Sequence, residues 1–161
     1  MIDKQKTYLT DIPDESCTID NKQLDVLLVV FGVGSVEADN HYSISKESIW
    51  DYTAEDNLRT SAISSQGNHI VIGSWDGKIY LFSKDSNNPI WSYQAEGGVF
   101  SVAISSNGEH IVAGSRDKNI YLFSKDSNNP LWSYATDDSV LSVDISEDGE
   151  YIAAGSEDNQ V

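Results

Sequence analysis

Two oxygen-rich loops are the first positions in this sequence whose side chains could do chemistry. Both loops read Asp-Ser-Asn-Asn, at 85–88 and at 126–129. Calcium prefers carboxylate and amide oxygens, so the two loops are weak calcium candidates. The side chains concerned are Asp85, Asn87, Asp126 and Asn128. Because each loop carries a single carboxylate, a turn between two strands is the favoured interpretation of both.

Histidines and aspartates also recur at equivalent positions. His69 and His110 each come soon after a Gly-containing turn, and Asp76, Asp117 and Asp158 each follow a Gly-Ser pair. General acid–base catalysis needs paired groups in one cleft, and a metal site needs convergent ligands. Groups that occur once per repeat are spread apart, so we expect the aspartates to hold turn backbone. We expect no catalytic residue and no cofactor, and no motif for phosphate, acyl transfer or zinc is present.

Tryptophans follow two different rules in this chain. Trp50, Trp91 and Trp132 are evenly spaced, and each precedes a Tyr by two residues. Such recurring aromatics are typical of packing. Trp75 breaks the series, because the equivalent positions hold Arg116 and Glu157. We therefore expect Trp75 in an exposed turn and take it as the candidate interaction residue.

These residues keep their spacing because the chain repeats itself. The segment that starts LFSKDSNNPIWSY at Leu81 is followed by a near copy from Leu122, a register of 41 residues (122 − 81). Between 81–120 and 122–161, 24 of 40 aligned residues are identical. An earlier copy starts at Trp50. A fixed period near 40 residues indicates one supersecondary unit stacked on copies of itself.

Each period contains four short runs separated by turns, which in the second copy are VFSVAIS, HIVAGS, NIYLFS and LWSY. Asn107-Gly108 between two β-like runs predicts a hairpin with a type I′ turn, in which both central residues have positive φ. The first two runs are apolar or small on both faces, so we expect strands that are covered on both sides. The fold class predicted is all-β, built from four-stranded antiparallel sheets.

The pattern VxSVxISxxGExI followed by AGSxDxxIYLF resembles the WD repeat. The residues that carry it are Val99, Ser101, Val102, Ile104, Ser105, Gly108, Ile111, Gly114, Ser115, Asp117, Ile120, Tyr121, Leu122 and Phe123. The usual Trp-Asp pair is replaced by Phe82-Ser83 and Phe123-Ser124, and the usual Gly-His pair is absent. PIWSYQ and PLWSYA instead resemble the Trp-containing strand of quinoprotein-like (PQQ-like) repeats. Both resemblances, over about residues 48–161, imply a β-propeller.

The resemblance also implies an order of strands, with the strand before the Asn-Gly turn innermost and the WSY strand outermost. We expect a partial propeller over 41–161, with an outer strand at 49–53 and a half blade at 140–161. Complete blades are expected at about 58–94 and 99–135. Propellers close with about four to eight blades, and fewer than three are encoded here. We therefore expect a fragment of a larger propeller, completed by further blades or by self-association.

Residues 1–40 do not fit the repeat. The apolar run Val26–Gly34 is too short to cross a bilayer, which takes roughly 20 residues. It fits the core of an export signal within 22–38, although Asp25 and the acidic region before it do not suit one. A buried strand or short helix that packs on the repeats is the alternative. The run favours an exported protein weakly over a cytoplasmic one.

The net charge of the chain limits the kinds of partner that it can bind. The chain has 26 acidic and 10 basic residues and a formal net charge of −16. This surface repels phosphate backbones, so nucleic acid is disfavoured. A single cysteine, Cys17, excludes an internal disulfide.

The function expected is a non-enzymatic interaction or scaffolding module that presents loop residues from a rigid sheet array to a protein partner. Two alternatives stay open. One is an exported surface repeat protein that binds sugar or ions. The other is the remnant of a quinone-dependent dehydrogenase propeller, which needs a complete ring around its cofactor.

Overall fold

The structure, a computed structural model, describes residues 26–31 and 48–158. These residues form twelve β-strands and, within those ranges, no helix. The strands are β1 (Val26–Phe31), β2 (Ser48–Ala54), β3 (Leu58–Ile63), β4 (His69–Ser74), β5 (Lys78–Ser83), β6 (Trp91–Gln94), β7 (Val99–Ile104), β8 (His110–Ser115), β9 (Asn119–Ser124), β10 (Trp132–Ala135), β11 (Val140–Ile145) and β12 (Ile152–Ser156).

The strands form four antiparallel sheets in sequence order. β3–β6 form a first four-stranded sheet and β7–β10 a second, which we call the first and second blades. β11 and β12 form a two-stranded half-blade, and β1 and β2 form a two-stranded outer pair. The predicted all-β class with four-stranded antiparallel sheets is therefore confirmed. The described residues form an array and not a closed ring.

The loops after the first strand of each blade correct one detail of the prediction. Gly108 has φ of 76°, but Asn107 does not have a positive φ, so the expected type I′ turn is wrong. The loop is five residues long, and the Gly108 N–H donates to the Ser105 carbonyl oxygen at 2.9 Å. The Ser105 hydroxyl donates to the Asn107 side-chain oxygen at 2.7 Å, which holds Asn107 in this longer turn. Only the residue that ends the turn needs the left-handed conformation, and glycine supplies it without strain.

The outer pair has the pairing of the last two strands of a blade. In the first blade, Tyr93 pairs with Ile79 and Trp91 with Leu81. In the outer pair, Tyr52 pairs with Leu28 and Trp50 with Val30. β1 (Val26–Phe31) therefore corresponds to the third strand of a blade, and β2 corresponds to the fourth. The rest of the segment in which we expected an export signal lies outside the described residues, and export stays a prediction.

Apolar side chains fill the space between neighbouring sheets. Phe82 and Phe123 are fully buried at equivalent positions of the two complete blades. Hydrogen bonds join the inner strands as well. The Val102 N–H donates to the Thr60 hydroxyl at 3.2 Å, and the Val143 N–H donates to the Ser101 hydroxyl at 3.1 Å. Each blade is therefore stabilised by the blade beside it, as expected of a repeat whose unit cannot bury its faces alone.

A candidate interaction site around Trp75

Two arginines and a phenylalanine surround Trp75. The Arg59 guanidinium carbon lies 5.1 Å from the centre of the Trp75 ring, and that of Arg116 lies 5.9 Å from it. The Phe100 ring meets Trp75 edge to face, with ring centres 5.6 Å apart and an angle of 63° between planes. We call these four residues the aromatic–cationic cluster. Cation–π contacts of this kind are worth about 0.5–2 kcal/mol each, so the cluster is a preformed surface.

A constant backbone frame presents different side chains at the Trp75 position. The Trp75 N–H donates to the Asn57 carbonyl oxygen at 2.9 Å. The equivalent bonds run from Arg116 to Gly98 at 2.8 Å and from Glu157 to Ser139 at 2.9 Å. The turn therefore keeps its geometry in all three copies while its side chain changes. The side chain at this position can therefore differ between copies without a change in the turn.

The other side of the cluster comes from the inner strands. Arg59 occupies an irregularity in the β3–β4 pairing, between Leu58 and Thr60. The equivalent irregularity in the second blade holds Phe100. Bulges of this type re-aim a side chain away from the regular alternation of a strand. The fold thus directs one residue from each of two adjacent inner strands towards the same indole ring.

The cluster is a cationic point on an acidic chain. Arg59 and Arg116 are the only two arginines in the sequence, whose net charge is −16. Neither guanidinium forms an ion pair with an acidic side chain in the described part of the chain. Both are therefore available to a carboxylate from outside.

Trp75 is 39% exposed and lies in the turn between β4 and β5. The sequence suggested Trp75 but did not suggest Arg59 or Phe100. Aligning the copies could have found both, because Arg59, Phe100 and Leu141 occupy one repeat position with three unrelated side chains. The convergence of both arginines on one ring has no signal in the sequence.

The weak calcium candidates lie in the loops β5–β6 and β9–β10, where other contacts engage them. The Asp126 carboxylate forms an ion pair with Lys125 at 2.9 Å. The Asn128 side-chain amide donates to the Ser92 carbonyl oxygen at 3.1 Å. In the described ranges no three His, Cys, Asp or Glu side chains are grouped to hold a metal ion. Calcium binding through Asp85, Asn87, Asp126 and Asn128 stays a prediction that no contact supports.

The recurring aspartates hold turn backbone in both complete blades. The Asp76 carboxylate accepts a hydrogen bond from the Lys78 N–H at 2.9 Å. Asp117 accepts one from the Asn119 N–H at 3.0 Å, one from the Glu96 N–H at 3.0 Å and one from the Tyr121 hydroxyl at 2.8 Å. Burial, with the bond to Asp117, raises the pKa of Tyr121 well above its usual range.

The two histidines pack against glycines of the next sheet. A Cβ at Gly108 would lie 2.6 Å from Nδ1 of His69, and a Cβ at Gly149 would lie 2.6 Å from Nδ1 of His110. Each ring therefore fills the space beneath a turn of the following sheet. His69 and His110 therefore have a structural role in packing one sheet on the next.

Successive four-stranded antiparallel sheets with a 41-residue period are typical of the β-propeller class of repeat proteins. The chain belongs to the WD-repeat family, since the family model described as "WD domain, G-beta repeat" matches residues 47–83, 87–124 and 128–161. The match supports the WD-repeat resemblance and not the quinoprotein-like one. A search of curated proteins finds no match to the chain.

WD repeats generally mediate protein interactions or scaffolding, and WD-repeat proteins are generally not enzymes. The described residues include no helix of the length and apolar character needed to cross a membrane.

Proposed function

We propose that this chain is a non-enzymatic interaction module whose aromatic–cationic cluster binds a segment of a protein partner. The observation that carries the proposal is the convergence of both arginines of an acidic chain on one exposed indole ring. Trp and Arg are among the residue types that are enriched where the binding energy of protein interfaces is concentrated. Their rigid contacts here reduce the side-chain entropy lost on binding.

The chemistry of the cluster selects its ligand. Two guanidinium groups bind a carboxylate well, because the planar donors match its two oxygens. Trp75 and Phe100 add an apolar wall beside them. The ligand that fits is a peptide segment with one carboxylate next to an apolar side chain.

Net charge limits the rest of the partner. A chain of net charge −16 repels a strongly acidic protein at long range. The partner is therefore neutral or basic overall, with the carboxylate as a local feature. Such complementarity raises the association rate at low salt more than it raises the affinity.

The test uses an array of immobilised short peptides, each with one Asp or Glu flanked by apolar residues, and a matched array with Asn or Gln instead. Wild-type protein should bind a subset of the acidic peptides and lose them in the amide array. Trp75→Ala should weaken that binding by about 30-fold, equivalent to about 2 kcal/mol. Arg116→Gln should remove the preference for the carboxylate while keeping some apolar binding.

Glu157→Ala is the matched control. Glu157 occupies the same turn position in the half-blade, and its backbone bond to Ser139 is retained in the variant. It should bind the peptides like the wild type. Equal binding by Trp75→Ala and the wild type would reject the cluster as the interaction site.

A further inference from the structure

A groove of about 780 Å³ lies between the second blade and the half-blade. Residues of β9 and β10 line one side, and residues of β12 line the other. The apolar and aromatic members of the lining are Ile120, Leu122, Trp132, Tyr134, Ile152 and Ala154. Within the described residues, β12 pairs with β11 alone, so its second backbone edge borders the groove.

The earlier blades indicate what such a groove holds. The Trp91 ring of the first blade packs on Phe123 of the second, with ring centres 5.3 Å apart. Its indole N–H donates to the Lys125 carbonyl oxygen at 2.8 Å. Trp50 makes the same two contacts one blade earlier, with Phe82 at 5.4 Å and the Lys84 carbonyl oxygen at 2.7 Å. Each fourth-strand Trp thus packs on the third strand of the blade that follows.

Trp132 is the next member of this series. Trp132 is 42% exposed and Tyr134 is 63% exposed, whereas Trp50 is 9% exposed. The first strands of the sheets show the same difference between the complete blades and the half-blade. Thr60 and Ser101 accept hydrogen bonds from the following blade, whereas Ser142 accepts no such bond from a following sheet within the described residues. By the 41-residue period, the groove lies where the third strand of a complete blade would be.

The outer pair has the complementary deficiency. β5 pairs with β6 along one edge and with β4 along the other. β1 pairs with β2 in the way that β5 pairs with β6. In the described residues, no strand pairs with the other edge of β1. The half-blade supplies strands one and two, and the outer pair supplies strands three and four.

We propose that β1 of a second copy of the chain pairs with β12, so that the outer pair of one copy and the half-blade of the other form a complete blade. In the described residues of each copy, two complete blades and two halves amount to three blades (2 + ½ + ½). Two copies then give a ring of six, within the range of about four to eight blades seen in propellers, while three copies would give nine. The assembly is a two-fold symmetric dimer with two identical junctions.

The repeat fixes the register of the junction. In the complete blades, Gly73 pairs with Ile79 and Gly114 with Ile120. Transferred by the 41-residue period and by the pairing of the outer strands, this places Gly155 opposite Leu28 of the second copy. Ala154 is then opposite Val29, and Ala153 is opposite Val30.

Charge modulates the association. Each copy carries a net charge of −16, so the two copies repel each other. Salt screens this repulsion over roughly 10 Å at 0.1 M and less at higher concentration. The dimer should therefore become tighter as the salt concentration rises, the opposite of the behaviour of a complex held by ion pairs.

The first measurement is the mass of the full chain by light scattering and analytical ultracentrifugation in low and high salt. We expect twice the 17.7 kDa chain mass at high salt. Trp132→Ser should shift the equilibrium to monomer by at least tenfold, because it removes the aromatic wall of the groove. Circular dichroism verifies that the variant keeps its strands.

The second measurement is cysteine cross-linking in a Cys17→Ser background. Val29→Cys alone is mixed with Ala154→Cys alone, so a disulfide between the two positions can form only between copies. We expect a cross-linked dimer after mild oxidation. The mixture of Val26→Cys with Ala154→Cys is the control, because a displacement of three residues moves the thiols about 10 Å apart.

The outcomes separate the possible occupants. A dimer with the in-register cross-link supports the second copy. A monomer at high salt, equal cross-linking in the control, or open-ended multimers would overturn the proposal, and a monomer would assign the groove to a strand of another polypeptide or of further sequence. The result does not depend on the aromatic–cationic cluster, whose peptide binding is measured separately.

Discussion

Equivalent residues lie in different environments at the junction between the two complete blades and on the two sides of the half-blade. Trp91 packs on Phe123 and is partly buried, while Trp132 faces a groove. His69 packs beneath Gly108 of the second blade, while Tyr151, at the equivalent position of the half-blade, is 72% exposed. The environment of a residue in this repeat is set by the neighbouring sheet more than by its own strand. Paired substitutions at equivalent positions measure that difference.

The largest expected effect is at the aromatic pair. Trp91→Ala should lower the free energy of unfolding by about 3 kcal/mol, because it removes the contact with Phe123 and leaves the Lys125 carbonyl oxygen without its donor. Trp132→Ala should cost less than about 1 kcal/mol in dilute protein. Urea denaturation measures both. If Trp132 is buried in a dimer, its cost should rise with protein concentration while that of Trp91 stays constant.

Glycines in the second strands provide the next comparison. A Cβ at Gly73 would lie 2.5 Å from a methyl group of Val99 and 2.7 Å from that of Thr60. Gly73→Ala should therefore cost about 2 kcal/mol through overpacking. At Gly155 the Cβ would meet only the Ser142 hydroxyl, at 2.9 Å. In dilute protein, Gly155→Ala should stay within about 0.5 kcal/mol of the wild type, and equal costs at the two sites there would contradict the difference between the junctions.

The stability at alkaline pH tests the junction between the two complete blades. Tyr121 of the second blade lies there against Tyr93 of the first, with ring centres 5.3 Å apart. Burial raises the pKa of Tyr121 above its usual value near 10.0. The folded chain keeps the proton where the unfolded chain loses it, so this contribution is complete below pH 10 and lost as the pH rises above it. The loss is up to about 1.4 kcal/mol per pH unit. Tyr121→Phe should reduce the slope of unfolding free energy against pH between pH 10 and 11.

The smallest effect concerns the hydrogen bonds between inner strands. Thr60→Val keeps the shape but leaves the Val102 N–H without an acceptor, at a cost of about 1 kcal/mol. Ser142 occupies the equivalent position in the half-blade, where no described sheet follows. Ser142→Ala should therefore cost less than about 0.5 kcal/mol. Thermal unfolding of the two variants beside the wild type resolves this. A larger cost for Ser142→Ala would mean that the half-blade already has a neighbour in solution.

Local sequence predicted the local structure. The 41-residue period, the alternation of turns and strands, and the aspartates that hold the turns depend on residues close together in the chain. The type I′ turn was wrong because two side chains, Ser105 and Asn107, hydrogen-bond within the loop and favour a longer turn. Propensities of a dipeptide do not include such bonds.

The sequence by itself determined a repeated four-strand unit and membership in a class of propeller-like proteins, because period and pattern are properties of a linear chain. Only the tertiary structure decided that Arg59 and Arg116 share one indole ring and that Trp132 faces a groove while Trp91 does not. Those facts depend on which sheets lie side by side and how a bulge turns a strand. Residues some forty positions apart in the chain come into contact between neighbouring sheets. The sequence of one repeat does not show which side chains the next sheet brings against it.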